Sequence, residues 1–259
     1  MSSKLVFVTG ASSGIGQALT ARFYRAGYRV AMVARHEAPM REWATAAGWS
    51  DARCGIYAAD VTQVDSVLVA ARDCIVRQGL PDVVIASAGI SVGMDTAIRE
   101  DLDVMARVFA INNVGMAASF HPFLEGMRAR GSGSLVGIAS VNGIRGFPGH
   151  GAYCASKAAV ISYCESLRGE LRGTGVRVTT LCPGYIDTPL TQGNRYGMPF
   201  LMQPDAFAQR AYRAIEEGDS YRVIPWQMAI VAGVLRLLPD KAFDRLFAGR
   251  PRKKRALEP

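Results

Sequence analysis

Short apolar segments typical of strands alternate with helix-like segments along most of this 259-residue chain. Such alternation is typical of a parallel sheet that carries helices on both faces, with right-handed crossovers between the strands. The first segment, LVFV at residues 5–8, is apolar throughout, as expected of a strand that is buried on both faces. The chain is therefore predicted to be an α/β protein with a doubly wound parallel sheet. Its strands are predicted at residues 5–8, 29–34, 53–58, 82–86, 134–139, 177–181 and 221–224.

Helices are predicted between these strands at residues 17–26, 64–78, 102–130 and 153–171. Pro122 is expected to kink or break the third helix, because proline lacks the amide hydrogen that a helix interior needs. No Pro- or Ser-rich boundary and no long internal repeat interrupts the pattern. We therefore expect one sheet domain at residues 1–225 and a C-terminal helical extension at residues 226–259, either part of that domain or peripheral to it.

The composition excludes several other classes of protein. Hydrophobic residues make up 49% of the chain and charged residues 20%, which is typical of a globular protein and not of a disordered or fibrous one. The five cysteines form no CxxC motif and the three histidines no cluster, so neither a disulfide framework nor a metal site is predicted. With no secretory signal and no apolar run of about 18 residues, the expected location is the cytoplasm.

A glycine-rich turn, TGASSGIG at residues 9–16, follows the first strand and opens the first helix. At such a place, free amide hydrogens and the positive end of the helix dipole can hold a pyrophosphate. Gly10 permits the tight turn, Gly14 lets a ligand approach the backbone, and Gly16 lets the helix pack closely on the strand. Glycine turns are common, but this position in the chain favours a dinucleotide-binding site.

Further motifs follow the glycine turn in a fixed order. They are DVT at residues 60–62, ASAG at 86–89, NNVG at 112–115, Ser140 with YCASK at 153–157, and Pro183-Gly184 followed by Thr188. Over residues 5–190 this series resembles the short-chain dehydrogenase/reductase family, the single-domain NAD(P)-dependent branch. The resemblance implies a Rossmann-type sheet and an oxidoreductase activity. The chain departs from the family in having ASAG where NNAG is usual, and Ser87 is expected to take over one of the lost hydrogen bonds.

The resemblance also implies which residues hold the dinucleotide. Asp60 matches the aspartate that binds the adenine amino group, and Thr188 matches a residue beside the nicotinamide. The residues expected to bind the cofactor are Gly10, Ser12, Ser13, Gly14, Ile15, Gly16, Arg35, Asp60, Val61, Ala88, Gly89, Tyr153, Lys157, Pro183, Gly184, Ile186 and Thr188.

Tyr153 and Lys157 are four residues apart, which places them on one face of a helix. A phenol with a pKa near ~10 is a poor acid–base catalyst at neutral pH, and a nearby ammonium favours the phenolate and lowers that pKa. The same spacing also occurs in exposed surface pairs, but the preceding Ser140 favours a catalytic group. By resemblance, Tyr153 exchanges the proton, Ser140 binds the substrate oxygen, Lys157 also reaches the nicotinamide ribose, and Asn112 holds a water in the proton relay. Asn112 can equally bend its helix, and the two roles are compatible.

The end of the second strand indicates which cofactor is preferred. NAD enzymes usually place an acid there to bind the ribose 2′-hydroxyl, whereas this chain has Ala34 followed by Arg35. Because a guanidinium pairs well with phosphate, we predict NADP, with NADPH favoured over NADH. Ser13 is a second candidate for contact with the 2′-phosphate. In the alternative interpretation, Arg35 stacks on the adenine and both cofactors are accepted.

Residues 90–94, 144–150 and 185–202 are expected to border the substrate. They contain few acids and several large apolar side chains, namely Met94, Phe147, Met198, Phe200 and Met202. This composition favours a lipophilic carbonyl or alcohol over a sugar phosphate, although the same side chains would also serve as ordinary core and lid packing. His150 is interpreted as a polar wall of this region.

The C-terminal extension combines an apolar stretch at residues 225–239 with a cationic tail, RPRKKR at 250–255. The last ten residues hold five Arg and Lys and one Glu, which is half of the formal net charge of +8. Three interpretations remain open: a pair of helices that forms a dimer, a segment that lies on an anionic membrane surface with Trp226 at the interface, and a lid over the active site. The resemblance implies assembly through the two long helices, residues 102–130 and 153–171. Because the C-terminal extension can block the larger tetramer, we expect a homodimer, with a tetramer as the alternative.

The sequence thus predicts an NADP(H)-dependent oxidoreductase that interconverts a carbonyl and a secondary alcohol on a small hydrophobic molecule. The alternative is a catalytically idle NADP(H)-binding sensor of the same fold, which the intact Ser140, Tyr153 and Lys157 speak against. Nucleic acid is not a predicted partner, because no stacking aromatics or recognition helix accompany the cationic tail.

Overall fold

A computed structural model of the chain describes residues 3–194, 196–249 and 251–255. Its strands are β1 Leu5–Thr9, β2 Arg29–Ala34, β3 Cys54–Ala58, β4 Val83–Ala86, β5 Gly133–Ile138, β6 Val176–Pro183 and β7 Tyr221–Ile224. Its helices are α1 Gly14–Arg25, α2 Glu37–Ala46, α3 Val64–Gln78, α4 Glu100–Phe109, α5 Gly115–Arg130, α6 Gly151–Glu170, α7 Pro189–Gln192, α8 Pro204–Glu217, α9 Trp226–Leu237 and α10 Asp240–Phe247. A π-helical turn, Ala110–Val114, joins α4 to α5, and a 3₁₀ turn, Val141–Gly143, precedes α6.

The seven strands form one parallel sheet in the order β3-β2-β1-β4-β5-β6-β7. The chain winds outward in one direction from β1 and in the other from β4, so the order reverses between these two strands. In open α/β sheets a ligand crevice forms at such a switch point, beyond the carboxyl ends of the strands. The predicted Rossmann-type doubly wound sheet is confirmed.

Helices cover both faces of the sheet because successive side chains of a buried strand point to opposite faces. On β1, Phe7 packs against Phe123 of α5, with ring centroids 4.8 Å apart. Its neighbours Val6 and Val8 point the other way and belong to the core that contains Phe23 of α1. A continuously apolar strand is therefore what this two-sided core requires.

The predicted helix at residues 102–130 differs from the structure. Pro122 lies inside α5, and the irregularity falls earlier, at the π-helical turn that contains Asn112. A π turn inserts one extra residue into a helix and is frequent at functional sites. Here it coincides with the buried amide of Asn112, which bonds to the backbone of Ile90. The interruption thus follows a tertiary contact and not the proline.

The C-terminal extension is attached to the body of the protein by Arg145. Its guanidinium donates a hydrogen bond to the carbonyl oxygen of Leu238 at 2.7 Å, just beyond α9, and pairs with Asp240 at 3.0 Å. Cations near the carbonyl end of a helix are stabilised by its dipole. After α10, residues 251–255 run back to the loop that follows β4, where Arg255 forms an isolated parallel bridge with Gly93. Among the described helices, none is long and apolar enough to cross a membrane.

Candidate active site

A continuous cleft of about 770 Å³ lies along the carboxyl ends of the strands, at the switch point between β1 and β4. Every residue predicted to bind the cofactor lines this cleft: Gly10, Ser12, Ser13, Gly14, Ile15, Gly16, Arg35, Asp60, Val61, Ala88, Gly89, Tyr153, Lys157, Pro183, Gly184, Ile186 and Thr188. Ser140 lines it as well, whereas Asn112 lies behind its wall.

The glycine turn forms one end of the cleft, and its geometry requires glycine. A methyl group at Gly10 would lie 2.7 Å from the backbone nitrogen of Ala88, and one at Gly16 would collide with the carbonyl oxygen of Gly10. Gly14 has a positive φ of 55° and faces Thr188 across the cleft. The first turn of α1 contains no acid that would repel an anion from its free amide hydrogens. These features fit the pyrophosphate of a dinucleotide.

Asp60 and Arg35 lie at the adenine end that the resemblance implies. The Asp60 carboxylate accepts hydrogen bonds from the backbone nitrogen of Thr62 at 2.9 Å and from its hydroxyl at 2.8 Å. These bonds, helped by the nearby charges of Arg35 and Arg107, hold the pKa of Asp60 below its usual range. Asp60 is thus a fixed carboxylate, and it is the only acid among the described residues that line the cleft.

At the other end of the cleft, the side chain of Ser140 lies beside the Tyr153 hydroxyl and lowers its pKa. Ser140 follows β5 and caps the 3₁₀ turn, where its hydroxyl accepts a bond from the backbone nitrogen of Asn142 at 3.2 Å. Burial raises the pKa of Tyr153 to about 12, and Ser140 opposes that rise. The phenol is therefore protonated at neutral pH and can act as a proton donor.

Lys157 lies one helical turn after Tyr153 and is buried. Its Nζ donates a hydrogen bond to the carbonyl oxygen of Ile138 at 2.8 Å and lies 5.8 Å from the centroid of the Tyr153 ring. Burial lowers the pKa of Lys157 to about 8. The sequence suggested that this ammonium lowers the pKa of Tyr153; in the structure burial raises that pKa, and Ser140 is the group that opposes the rise.

Asn112 connects the cleft wall to the catalytic helix. Its side-chain oxygen accepts a bond from the backbone nitrogen of Ile90 at 2.9 Å, and its amide group donates to the Ile90 oxygen at 3.1 Å and to the Ser156 hydroxyl at 2.9 Å. Ser156 in turn donates to the carbonyl oxygen of Tyr153 at 2.8 Å. Both amide hydrogens are used within the protein, so the side chain braces the helix that carries Tyr153.

The substrate end of the cleft differs from the prediction. The five apolar side chains expected there, Met94, Phe147, Met198, Phe200 and Met202, are absent from its described lining. Met94 packs into a small core with Val108, for example, and Phe147 packs against the rings of α10. Met94, Phe147 and Met202 thus serve packing, which was the alternative interpretation, whereas Phe200 is exposed.

Other residues of two predicted segments, 90–94 and 185–202, line this end, whereas none of the described residues of the predicted segment 144–150 does. The lining residues are Ile90, Ser91, Tyr185, Leu190, Thr191, Asn194, Tyr196 and, outside the predicted segments, Lys253. His150 is buried beside them, with its ring centroid 5.6 Å from that of Tyr196, and burial lowers its pKa to about 4. Two sequence signals pointed towards Lys253, the excess of cations in the tail and the interpretation of the extension as a lid over the active site, but neither singled out this residue.

A parallel sheet with a glycine-turn cleft and a Ser–Tyr–Lys centre defines a dinucleotide-dependent oxidoreductase. Residues 4–198 match the family model for short chain dehydrogenases. The chain is 38% identical over 247 residues to an uncharacterized oxidoreductase of Myxococcus xanthus, covering 94% of this chain and 96% of the relative. It is 36% identical to the 1-deoxy-11-beta-hydroxypentalenate dehydrogenase of Streptomyces exfoliatus, over 74% of this chain and 71% of the relative. The chain belongs to the short-chain dehydrogenase/reductase family, as the sequence motifs indicated.

Solved structures show the same fold. A short-chain dehydrogenase from Streptomyces avermitilis superposes with a TM-score of 0.78 at 26% identity, covering 90% of this chain and 92% of that one. An actinorhodin polyketide ketoreductase with NADPH gives 0.76 at 27% identity, over 86% and 95% of the two chains. A 3-ketoacyl-(acyl-carrier-protein) reductase from Brucella melitensis with NADH gives 0.76 at 25% identity, over 85% and 96%.

Proposed function

We propose that this protein is an NADPH-dependent oxidoreductase that interconverts a carbonyl and a secondary alcohol on a lipophilic substrate. The observation that carries this proposal is that Ser140, Tyr153 and Lys157 line the same cleft that begins at the glycine turn, with Lys157 Nζ 5.8 Å from the centroid of the Tyr153 ring. One cleft thus has a place for a dinucleotide at one end and a proton donor at the other.

In this proposal each side chain of the centre has a defined task. Ser140 orients the carbonyl oxygen of the substrate, and the protonated Tyr153 donates a proton to that oxygen as negative charge develops on it. Lys157 places a positive charge behind the phenol, and Asn112 acts as a positioning residue through Ser156. A bound nicotinamide supplies the hydride for reduction or takes it up in the reverse reaction.

The preference for NADPH is supported by Ala34 and Arg35, which both line the cleft at the end of β2. A guanidinium there suits a 2′-phosphate, and no acid is present at that strand end to hold a 2′-hydroxyl. The structurally related actinorhodin ketoreductase was solved with NADPH, and the Brucella melitensis reductase with NADH. Comparing kcat/KM for NADPH and NADH tests the preference, and a higher value for NADH would contradict it.

The lipophilic character of the substrate is supported by the side chains at the catalytic end, among them Ile90, Leu190 and the tyrosines Tyr185 and Tyr196. The related Streptomyces exfoliatus enzyme is named for a hydroxypentalenate substrate. NADPH consumption over a panel of hydrophobic ketones, including steroids, tests this assignment. Tight NADPH binding without turnover of any of them would favour the idle sensor.

We also propose that the protein is a cytoplasmic homodimer whose residues 226–259 belong to the same folding unit as residues 1–225. An exposed apolar row on α9, formed by Trp226, Ile230, Val234 and Leu237, is a candidate for peripheral membrane contact. Co-sedimentation with anionic liposomes, with and without the substitution of Trp226 and Leu237 by Ser, tests this contact. Equal recovery of both proteins in the supernatant would remove the membrane proposal, and sedimentation velocity gives the oligomeric state.

A further inference from the structure

The C-terminal tail lies across the substrate end of the cleft. We call residues 251–255 the strap. The backbone nitrogen of Gly93 donates a hydrogen bond to the carbonyl oxygen of Lys254 at 3.1 Å. A methyl group at Gly93 would collide with the carbonyl oxygen of Lys253, and one at Gly149 would lie 2.9 Å from the Arg252 side chain. The loops that contain Gly93 and Gly149 therefore leave room for the strap.

A buried ion pair fixes the end of the strap. Arg255 binds Asp101 at the start of α4 through two bonds, from Nε to Oδ2 at 2.6 Å and from Nη2 to Oδ1 at 3.1 Å. The Asp101 side chain is fully buried and also accepts a bond from the backbone nitrogen of Asp95 at 2.7 Å. Bidentate pairs of this kind specify both position and orientation. The strap is consequently a defined element of the fold.

The fixed strap carries Lys253 into the wall of the cleft. Lys253 Nζ donates hydrogen bonds to the Leu190 carbonyl oxygen at 2.8 Å and to Asn194 Oδ1 at 2.7 Å. Both acceptors are neutral, and an ammonium has three hydrogens to donate. No carboxylate of the described residues forms an ion pair with Lys253. The desolvation of this group lowers its pKa, as expected of a cation without an anionic neighbour.

The position of Lys253 associates it with the substrate and not with the adenine end. Its charge acts on His150, the residue immediately before α6, and the His150 ring contacts Tyr196 in the cleft wall. The cations near Asp60, by contrast, are Arg35 and Arg107. The catalytic end of the cleft thus combines apolar and aromatic walls with a second ammonium, that of Lys253, besides the buried ammonium of Lys157.

We propose that Lys253 is a specificity-determining residue that binds a carboxylate of the substrate, so that the preferred substrate is a lipophilic keto or hydroxy acid. This inference rests on the proposed carbonyl–alcohol activity. The strap supplies the ammonium, and the Arg255–Asp101 pair holds the strap in place. The third ammonium hydrogen of Lys253 donates a hydrogen bond to the substrate carboxylate. A charge-assisted hydrogen bond of this type changes affinity by about 10- to 100-fold.

The test compares 4-oxodecanoate, 6-oxodecanoate and 9-oxodecanoate with the methyl ester of each, using the full chain and NADPH. Lys253→Met is the test variant. Lys254→Met removes the same charge from the neighbouring, exposed position of the strap and is the matched control. For at least one pair we expect the wild type to prefer the acid. Lys253→Met should lower kcat/KM for that acid about 10- to 100-fold, mainly through KM, and leave the ester within about threefold. Lys254→Met should resemble the wild type.

Equal losses for acid and ester in Lys253→Met would overturn the proposal. A weaker Kd for NADPH in that variant, with the acid preference retained, would assign the ammonium to a cofactor phosphate and would overturn it too. If the wild type reduces none of the ketones, the proposed carbonyl–alcohol activity lacks support. The carboxylate site at Lys253 is then tested by ligand binding, which does not require turnover. Isothermal titration of the NADP⁺-loaded protein with decanoate and with decanol should then show a preference for decanoate that Lys253→Met abolishes. No such preference in the wild type would reject the carboxylate site.

Discussion

The guanidinium of Arg255 donates two hydrogen bonds to the buried carboxylate of Asp101, although the two residues are 154 positions apart in the sequence. The pair attaches the last described residues of the chain to the first turn of α4. The bond from Arg255 and the bond from the Asp95 backbone nitrogen hold the pKa of Asp101 below its usual range. The fully buried carboxylate therefore remains charged at neutral pH and depends on its partner.

Arg255→Met should lower the thermal midpoint, because it leaves the Asp101 charge buried and uncompensated. Adding Asp101→Asn to the same protein removes that charge and should recover most of the loss. Differential scanning fluorimetry gives the midpoints, and limited trypsin digestion reports whether the strap is released. An Arg255→Met protein as stable and as trypsin-resistant as the wild type would show that the pair does not hold the strap.

Replacement of the Tyr153 hydroxyl tests the centre of the proposed mechanism. Tyr153→Phe removes the proton donor and keeps the ring, so kcat should fall by about 10²- to 10⁴-fold while the Kd for NADPH changes little. Tyr163→Phe is the matched control, because it removes a phenol from an exposed position of the same helix, outside the described lining of the cleft. Steady-state kinetics with fluorescence titration of NADPH separates the two effects. Turnover that survives in Tyr153→Phe would reject Tyr153 as the donor.

The sheet and the cofactor end were predictable because their signals are local. Apolar strands such as the one containing Phe7, the glycine turn and the spacing of Tyr153 and Lys157 each lie within one short segment. Every predicted strand is present, with bounds within two residues. Helices α2 and α8 were not predicted. In α8 the buried residues Phe207, Ala211 and Ala214 are three and four apart, which is a helical spacing that sequence reasoning can detect.

The substrate end was predictable only in part because it is formed by contacts distant in the sequence. Loop residues such as Met94 and Phe147 are apolar whether they face a ligand or a neighbouring helix, so hydrophobicity alone cannot assign them. The location of Lys253 depends on the pairing of Arg255 with Asp101, and no local sequence pattern predicts that pairing. The π-helical turn likewise follows from the contact of Asn112 with Ile90. Tertiary partners, and not propensity, decided each of these features.

The pH dependence of the two reaction directions follows from Tyr153 and Lys157. Burial raises the pKa of Tyr153 to about 12, so at neutral pH the phenol stays protonated, which is the form that reduction requires. Oxidation needs the phenolate, and kcat/KM for an alcohol should therefore rise with pH between about 6 and 9, by up to about tenfold per unit. Reduction should decline above pH about 8, where Lys157 loses its proton. Oxidation that is independent of pH over this range would contradict the role of Tyr153.

Arg35 should determine the choice between the two cofactors. Arg35→Ala removes the proposed partner of the 2′-phosphate, so kcat/KM should fall about 10- to 100-fold with NADPH and stay nearly constant with NADH. Ala34→Asp adds the acid that suits a 2′-hydroxyl and should raise kcat/KM with NADH. Initial rates with both cofactors on one ketone provide the measurement, with Arg41→Ala on α2 as a control for loss of an exposed positive charge. Equal losses with both cofactors in Arg35→Ala would place the guanidinium against the adenine instead.

Lys157→Met should raise the stability of the protein and lower its activity. Burial lowers the Lys157 pKa to about 8, so the folded protein binds the Lys157 proton more weakly than the unfolded chain does. At neutral pH the ammonium is charged in both states and its burial destabilises the fold. This contribution is fully present below pH about 8 and disappears as the pH rises towards ~10.4, the pKa of an ordinary lysine. Lys157→Met loses the bond to Ile138 but removes the buried charge, so the free energy of unfolding at pH 7 should rise by about 1–3 kcal/mol.

Urea denaturation of the wild type and of Lys157→Met at pH about 7 and about 10 measures this difference, and kcat is measured on the same samples. The stabilisation should be larger at the lower pH, because at the higher pH the wild-type lysine is already neutral in the folded state. The variant should lose most of its turnover, since the charge behind the Tyr153 phenol is gone. A Lys157→Met protein less stable than the wild type at pH 7 would mean that the bond to Ile138 outweighs the cost of burying the ammonium. The expected result is a protein that folds more stably once a residue needed for its chemistry is removed.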